Sequence, residues 1–288
     1  MTSPQNHPAL KAGNTAVVTG GANGIGLSSA CRFAELGMNV IIADCDAVQL
    51  ETALPVVQEA ASGDAKVSTF VCDVSDPVQV ENLASYAYSH FDDVAVLMNN
   101  AGTAFNPGLP WDKLSEWKKL IDINLWVIIH CVQTFVPSML EHGKSGLVIN
   151  TGSKQGITKP PGNAAYNLSK AGVVAFTESL AYEFRQIDNC PLTAHLLVPG
   201  FTYTGMISQF LPEKPDAAWT SDQVSSHMLE RIEGGDFYII CPDNDVSRKM
   251  DERRIQWYAD DLIKNRPPLS RWHPDFSEEF SSFMNRKT

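Results

Sequence analysis

The chain has 288 residues, with 33 acidic against 22 basic side chains, a formal net charge of −11 and 44% hydrophobic residues. An acid excess of that size repels a nucleic-acid backbone or an anionic membrane surface, and the composition is that of a folded domain. No apolar run approaches the roughly 20 residues that cross a bilayer, residues 1–10 lack the layout of a secretion signal, and the cysteines form no Cys-x-x-Cys pair, so a cytoplasmic protein without a metal site is expected.

In chain order, short β-branched runs alternate with longer amphipathic stretches. Strands are predicted at 16–18, 40–43, 67–71, 94–98, 147–149, 194–198 and 237–240. Helices fall between them near 24–36, 46–61, 77–90, 111–141 and 164–187, the fourth with a break near Asp122-Ile123-Asn124 or at Pro137. This βαβα alternation predicts an α/β fold, a parallel sheet covered on both faces, in one domain spanning 13–242. Residues 1–12 are expected to form an N-terminal arm. The aromatic, proline-containing span 200–235 is expected to form a substrate lid, and 243–288 an extension that packs on the domain or on a neighbour.

The first strand runs directly into Thr19-Gly20-Gly21-Ala22-Asn23-Gly24-Ile25-Gly26, just ahead of the first helix. Without Cβ atoms the backbone can turn tightly there and admit a pyrophosphate to the helix N-terminus, where N–H groups and the dipole favour anions. A glycine turn at that place also suits close packing, so the glycines need companions to carry meaning. Asp44 ends the second strand, at the spacing from which a carboxylate reaches an adenosine ribose. A 2′-phosphate would meet its charge, and Asn23, Cys45 and Asp46 supply no cation, which favours NAD over NADP.

Ser153, Tyr166 and Lys170 follow in order. Tyr166 and Lys170 are one helical turn apart and share a helix face, while Ser153 lies just past the predicted strand at 147–149. A nearby ammonium lowers a phenol's pKa, which would let Tyr166 serve as a general acid or base near neutrality. A tyrosine and a lysine on an exposed helix would have the same spacing, and only the glycine turn and Ser153 beside them weigh against that reading.

With these motifs the chain resembles the short-chain dehydrogenase/reductase family from about residue 13 to about 206. Thr19-Gly20 with Gly24-Ile25-Gly26 is similar to the family's cofactor turn, Asp73-Val74 to its adenine-side residues, Asn99-Asn100-Ala101-Gly102 to its fourth-strand motif and Asn124 to its helix asparagine. Ser153, Tyr166 and Lys170 match its catalytic trio, and Pro199-Gly200 with Thr202 and Thr204-Gly205-Met206 its segment beside the nicotinamide. The resemblance implies a Rossmann-type, doubly wound sheet and NAD(P)-dependent interconversion of an alcohol and a carbonyl. Tyr166 would remove the hydroxyl proton, Ser153 hold the substrate oxygen, Lys170 bind the nicotinamide ribose and lower the Tyr166 pKa, and Asn124 position a relay water. It also implies a homodimer or homotetramer. Where many members resemble one another in a closing Asp-Gly-Gly, this chain has Cys241-Pro242-Asp243-Asn244 and a long tail.

Gln155, Phe201, Tyr203, Met206, Ile207, Phe210 and Trp219 are expected to line the substrate side with Ser153, suiting a bulky apolar or aromatic secondary alcohol or ketone. Two other readings compete: an NADP-dependent carbonyl reductase, and a protein that senses NAD(H) without turnover.

Overall fold

The computed structural model describes residues 7–208 and 211–286. Its first half runs β1 (Thr15–Thr19), α1 (Gly24–Glu35), β2 (Asn39–Asp44), α2 (Ala47–Ala60), β3 (Val67–Val71), α3 (Pro77–His90) and β4 (Val96–Asn99). The second half continues through α4 (Leu114–Ile121), a π-helical turn (Asp122–Trp126), α5 (Val127–His142), β5 (Gly146–Thr151), α6 (Lys154–Thr158), α7 (Ala164–Gln186) and β6 (Leu192–Val198). Then come the short strand β7 (Thr202–Tyr203), α8 (Gly205–Ser208), the short strand β8 (Trp219–Thr220), α9 (Ser221–Glu233) and β9 (Tyr238–Ile240). The tail carries α10 (Arg248–Ile263) and α11 (Ser277–Asn285).

Seven strands pair in parallel in the order β3-β2-β1-β4-β5-β6-β9, the doubly wound sheet that the alternation predicts. Every residue of β1, β4 and β5 is buried, as a sheet covered on both faces requires. Alternate side chains feed two cores. Val17, Ile41, Leu97 and Val148 meet Leu83 of α3, Phe135 of α5 and Val173 of α7 on one face. Val18, Ile42, Met98 and Ile149 meet Phe33 of α1, Leu50 of α2 and Met228 of α9 on the other. The strand order reverses between β1 and β4, which opens a crevice at their carboxyl ends.

Several elements differ from expectation. The fourth helix starts at Leu114, because Lys113 ahead of it adopts φ 45°, and its expected break is a π turn through which the helix continues. Pro137 lies inside α5 without ending it. The resulting run, Leu114–His142, is long and apolar enough to cross a membrane, which the sequence did not suggest. Its Val127, Ile128, Cys131, Phe135 and Met139 are core residues. The span 200–235 is not one lid: a capping box between Thr220 and Gln223 starts α9, whose Val224, Met228 and Ile232 are buried in the second core. Of the N-terminal arm, Ala9 and Leu10 are buried.

The tail folds back on the domain around Trp257, which is 2% exposed. Its indole N–H donates to the Ser270 hydroxyl at 2.8 Å, and the Arg266 guanidinium lies 3.9 Å from its ring centroid while pairing with Asp261 at 2.9 Å. Removing the indole leaves a cavity and strands Arg266 on one side. Trp257→Ala should lower stability by about 3–5 kcal/mol if the tail unfolds with the domain. Urea denaturation with limited proteolysis checks this, with early cleavage expected inside 243–286; a tail that stays protected would assign its anchorage elsewhere.

Candidate active site

The turn after β1 is held open by close backbone approaches. Gly20 and Gly24 adopt φ +61° and +55°, in the left-handed region that only glycine enters freely. A Cβ on Gly20 would lie 2.7 Å from the Ala101 Cα, and one on Gly26 would lie 2.1 Å from the Gly20 carbonyl oxygen. Asn100 latches the turn: its side-chain amide donates to the carbonyls of Thr19 at 3.2 Å and Gly20 at 3.1 Å, and its backbone N–H donates to the Thr19 hydroxyl at 3.0 Å. The Ala101 N–H also reaches that hydroxyl, at 3.3 Å. Asn23 begins α1 with extended backbone, makes no side-chain cap, and has no acidic residue in the turn after it. A cradle without Cβ atoms at an uncapped helix N-terminus fits a pyrophosphate.

Asp44 stands at the end of β2 beside this turn and accepts hydrogen bonds from the backbone N–H of Ala22 and of Asp46, both at 3.2 Å. Cys45 is exposed next to it, and burial, Asp44 and Asp73 together push its thiol pKa upward, so the carboxylates of Asp44 and Asp73 share one rim. Asp73 itself folds onto Ser75 at 2.7 Å, and Val74 is buried behind it. Among the described residues no ion pair is formed by Asp44, and the rim is anionic.

The three residues of the expected trio converge. Asn163 caps α7 by accepting from the Tyr166 N–H at 3.1 Å, and Ser153 caps α6 by accepting from the Gln155 N–H at 3.2 Å. The Ser153 hydroxyl lies near enough to the Tyr166 phenol to draw its pKa down. The Lys170 ammonium, 4% exposed, lies 5.9 Å from the Tyr166 ring centroid and donates to the Thr151 carbonyl at 2.8 Å. Burial lowers the Lys170 pKa to about 8 and raises that of Tyr166 above its ordinary value, with Ser153 drawing it partly back. The expected lowering of the phenol by Lys170 is not found: burial raises the Tyr166 pKa, and Ser153 is what opposes it.

Asn124 occupies the π turn, fully buried. Its amide donates to the Thr103 carbonyl at 2.9 Å and the Ser169 hydroxyl at 3.2 Å, and its carbonyl accepts from the Thr103 N–H at 2.7 Å. Both side-chain amide hydrogens are thus given to protein groups, so a water held by Asn124 would donate to one of its oxygens. Gly102 sits against this group, and a Cβ there would lie 3.2 Å from the Asn124 Oδ1 and 3.6 Å from the Lys170 Nζ.

Beyond β6, Pro199 and Gly200 lead into β7, where Thr202 is buried and donates to the Gly200 carbonyl at 3.2 Å. Thr204 touches the glycine turn, since a Cβ on Gly24 would meet its side chain at 3.2 Å. An open groove of about 570 Å³ runs there, lined among others by Asn23, Gly24, Tyr203, Thr204 and Ser221. Of the expected substrate residues, Phe201 and Met206 are exposed, and Gln155, Ile207 and Trp219 are half-buried. Tyr203 turns its hydroxyl to the Pro212 carbonyl at 2.8 Å, and Trp219 pairs with β7 through its N–H to Phe201 at 2.9 Å, so both also anchor the loop. Phe210 lies outside the described residues.

Two structural residues escaped the sequence reading. A Cβ on Gly156 would lie 2.5 Å from the Lys170 carbonyl oxygen, so glycine lets α6 close on α7 and brings Ser153 to Tyr166. Asn163, besides its cap, donates to the Phe105 carbonyl at 3.1 Å and ties the loop after β4 to the start of α7. An asparagine three residues before Tyr166 was a legible cap signal.

A family model for short chain dehydrogenase matches residues 14–215. The 1-deoxy-11-beta-hydroxypentalenate dehydrogenase of Streptomyces avermitilis is 30% identical over 249 residues, 85% of this chain and 90% of the relative. The 3beta-hydroxysteroid dehydrogenase 2 of Eggerthella lenta is 33% identical over 209 residues, 72% of this chain and 77% of the relative. The crystal structure of a short chain dehydrogenase/reductase from Burkholderia phymatum in complex with NAD superposes with a TM-score of 0.79 at 27% identity, covering 89% of this chain and 96% of that one. With the glycine crevice and the converging serine, tyrosine and lysine, these matches show that the chain belongs to the short-chain dehydrogenase/reductase family, as an NAD(P)-dependent oxidoreductase acting on a hydroxyl or keto group.

Proposed function

We propose that the chain interconverts a bulky, apolar secondary alcohol and its ketone with NAD as cofactor. The convergence of Ser153, Tyr166 and Lys170 beside the glycine crevice carries this reading. NAD+, when bound, supplies the acceptor for the hydride leaving the substrate carbon. Gly20 to Gly26, Asn100 to Gly102, Pro199, Gly200, Thr202, Thr204 and Lys170 would hold it, with Asp44, Cys45, Asp73 and Val74 on its adenosine side. The carboxylate rim, and the lack of a cation paired with Asp44 among the described residues, support NAD over NADP.

Ser153 holds the substrate oxygen by its hydroxyl, and Tyr166 takes that oxygen's proton during oxidation or returns it during reduction. At neutral pH the half-buried phenol keeps its proton, so Tyr166 is set to donate; as the pH rises past about 8 Lys170 gives up its proton, and the Tyr166–Lys170 pair can then take one from the substrate. Asn124 acts by position, fixing Thr103 beside Gly102 and Lys170. Phe201, Tyr203 and Met206 give the substrate space its apolar side, and Gln155 adds a polar amide beside Ser153. The alicyclic alcohols named for the two relatives support a bulky substrate. Half-exposed Trp126 and Leu168 support burial against a second copy in a homodimer or homotetramer, and the free cysteines fit a reducing cytoplasm.

Three measurements test the reading, the kinetic ones with the cyclic secondary alcohol that the protein oxidises fastest with NAD+. Tyr166→Phe should lower turnover by about a hundredfold or more while the NADH dissociation constant stays within about threefold; unchanged turnover refutes the proton-transfer assignment. Asp44→Ala should shrink the preference for NADH over NADPH by about tenfold, read by fluorescence titration of both. Tighter NADPH binding by the unmutated chain would instead favour an NADP-dependent reductase. The oxidative kcat/KM should climb with pH and level near pH 8, because deprotonation of the pair creates the base. Lys170→Arg, whose guanidinium does not titrate in that range, should move the bend upward; a bend that stays near pH 8 belongs to another group.

A further inference from the structure

We propose that α10, in the tail beyond the sheet, is a clamp that fixes α6 and so positions Ser153. This rests on the reading of Ser153 as the residue that holds the substrate oxygen.

Helix α6 has only five residues, too few to hold its shape alone, yet it carries Ser153 as its N-cap. Its two ends are gripped from the same side. At the start, the Lys154 ammonium pairs with Asp251 of α10 at 2.7 Å and lies 3.4 Å from Asp243. At the end, Lys159 donates to the Tyr258 hydroxyl of α10 and stands 4.0 Å from the centroid of that ring. Asp251 and Tyr258 are seven residues apart, about two turns, and therefore share one stripe of α10. Arg254 lies on the same stripe, 3.9 Å from Asp251.

The cluster reaches a third segment. Asp243 accepts from the Phe201 N–H at 3.2 Å, and a Cβ on Gly200 would lie 2.9 Å from both the Asp243 carboxylate and the Lys154 ammonium. Both acidic side chains are 6% exposed and Lys154 is 18% exposed, so the pairing is shielded from solvent screening. Lys154, the half-buried residue after Ser153, thus ties α6 to the segment that begins at Gly200 and to the tail. Lys154, Asp251 and Tyr258 are positioning residues, acting through Ser153 rather than on the substrate.

The test uses the full chain and four variants: Asp251→Asn, Lys154→Met, the conservative Lys154→Arg and the control Glu252→Gln, whose carboxylate makes a surface pair with Arg248. Hydrogen–deuterium exchange is read at amides 154–158 and 200–203, with β1 and β5 as internal references. Asp251→Asn and Lys154→Met should speed exchange at α6 by about tenfold, leave β1 and β5 unchanged, and lower kcat more than they raise KM. NADH affinity should stay within about threefold, Lys154→Arg should recover most of the turnover, and Glu252→Gln should match the unmutated chain. Unchanged exchange at α6, or faster exchange spread equally over all strands, overturns the clamp. Should Asp251→Asn fail to fold, Tyr258→Phe removes only the hydroxyl facing Lys159 and should loosen the 157–158 end of α6. If no secondary alcohol is turned over, the proposed activity fails, and the exchange pattern still decides the clamp.

Discussion

Where β1 and β4 end side by side, Gly20 approaches the Ala101 backbone too closely for any side chain, and the Thr19 hydroxyl receives the N–H groups of Asn100 and Ala101. The rest of the site is arranged around this interlock. The carbonyls of the first turn are held by the Asn100 side chain and the Ala22 N–H by Asp44, while the amino end of α1 has no side-chain cap and stays open to an anion. The strand order reverses at this point, which sends the following helices to opposite faces and leaves the crevice between them. Gly102, the last residue of the second turn, then lets both the Asn124 side chain and the Lys170 ammonium come close to its own backbone.

Burial, more than pairing, tunes the chemistry. Lys170 finds a backbone carbonyl rather than a carboxylate, so its charge is poorly compensated and its pKa falls, while the same dry surroundings hold the proton on Tyr166. Lys154, 16 residues earlier, is treated in the opposite way: two aspartates surround it and it serves as a fastener. Two lysines close to the same serine thus have different duties because one faces carbonyl oxygen and the other faces acid.

Much of this was legible in the amino-acid order. Seven apolar runs gave the strands, since a two-sided parallel sheet needs nearly continuous hydrophobicity, and the glycine turn, Asp44, and the serine, tyrosine and lysine stood at telling intervals. The edges of elements were less legible, because they depend on single backbone conformations such as that of Lys113. Helix α9 was hidden by the aromatics and prolines before it, although Thr220 and Gln223 form a recognisable cap. The sign of the Tyr166 shift could not be read from spacing at all, because it depends on how much water the fold removes. The tail's grip on α6 depends on contacts between residues about 100 positions apart, beyond the reach of periodicity.

The π turn at Asp122–Trp126 carries a consequence for how the sequence can change over time. One extra residue in a single coil rotates everything after it by about 100° relative to an uninterrupted α-helix. Losing one codon in that stretch would restore regular winding, yet would swing either Asn124 away from Thr103 or the apolar stripe of α5 away from the sheet. Substitutions at exposed positions of this turn leave the geometry intact, whereas a change in its length would force the core contacts of α5 to be rebuilt.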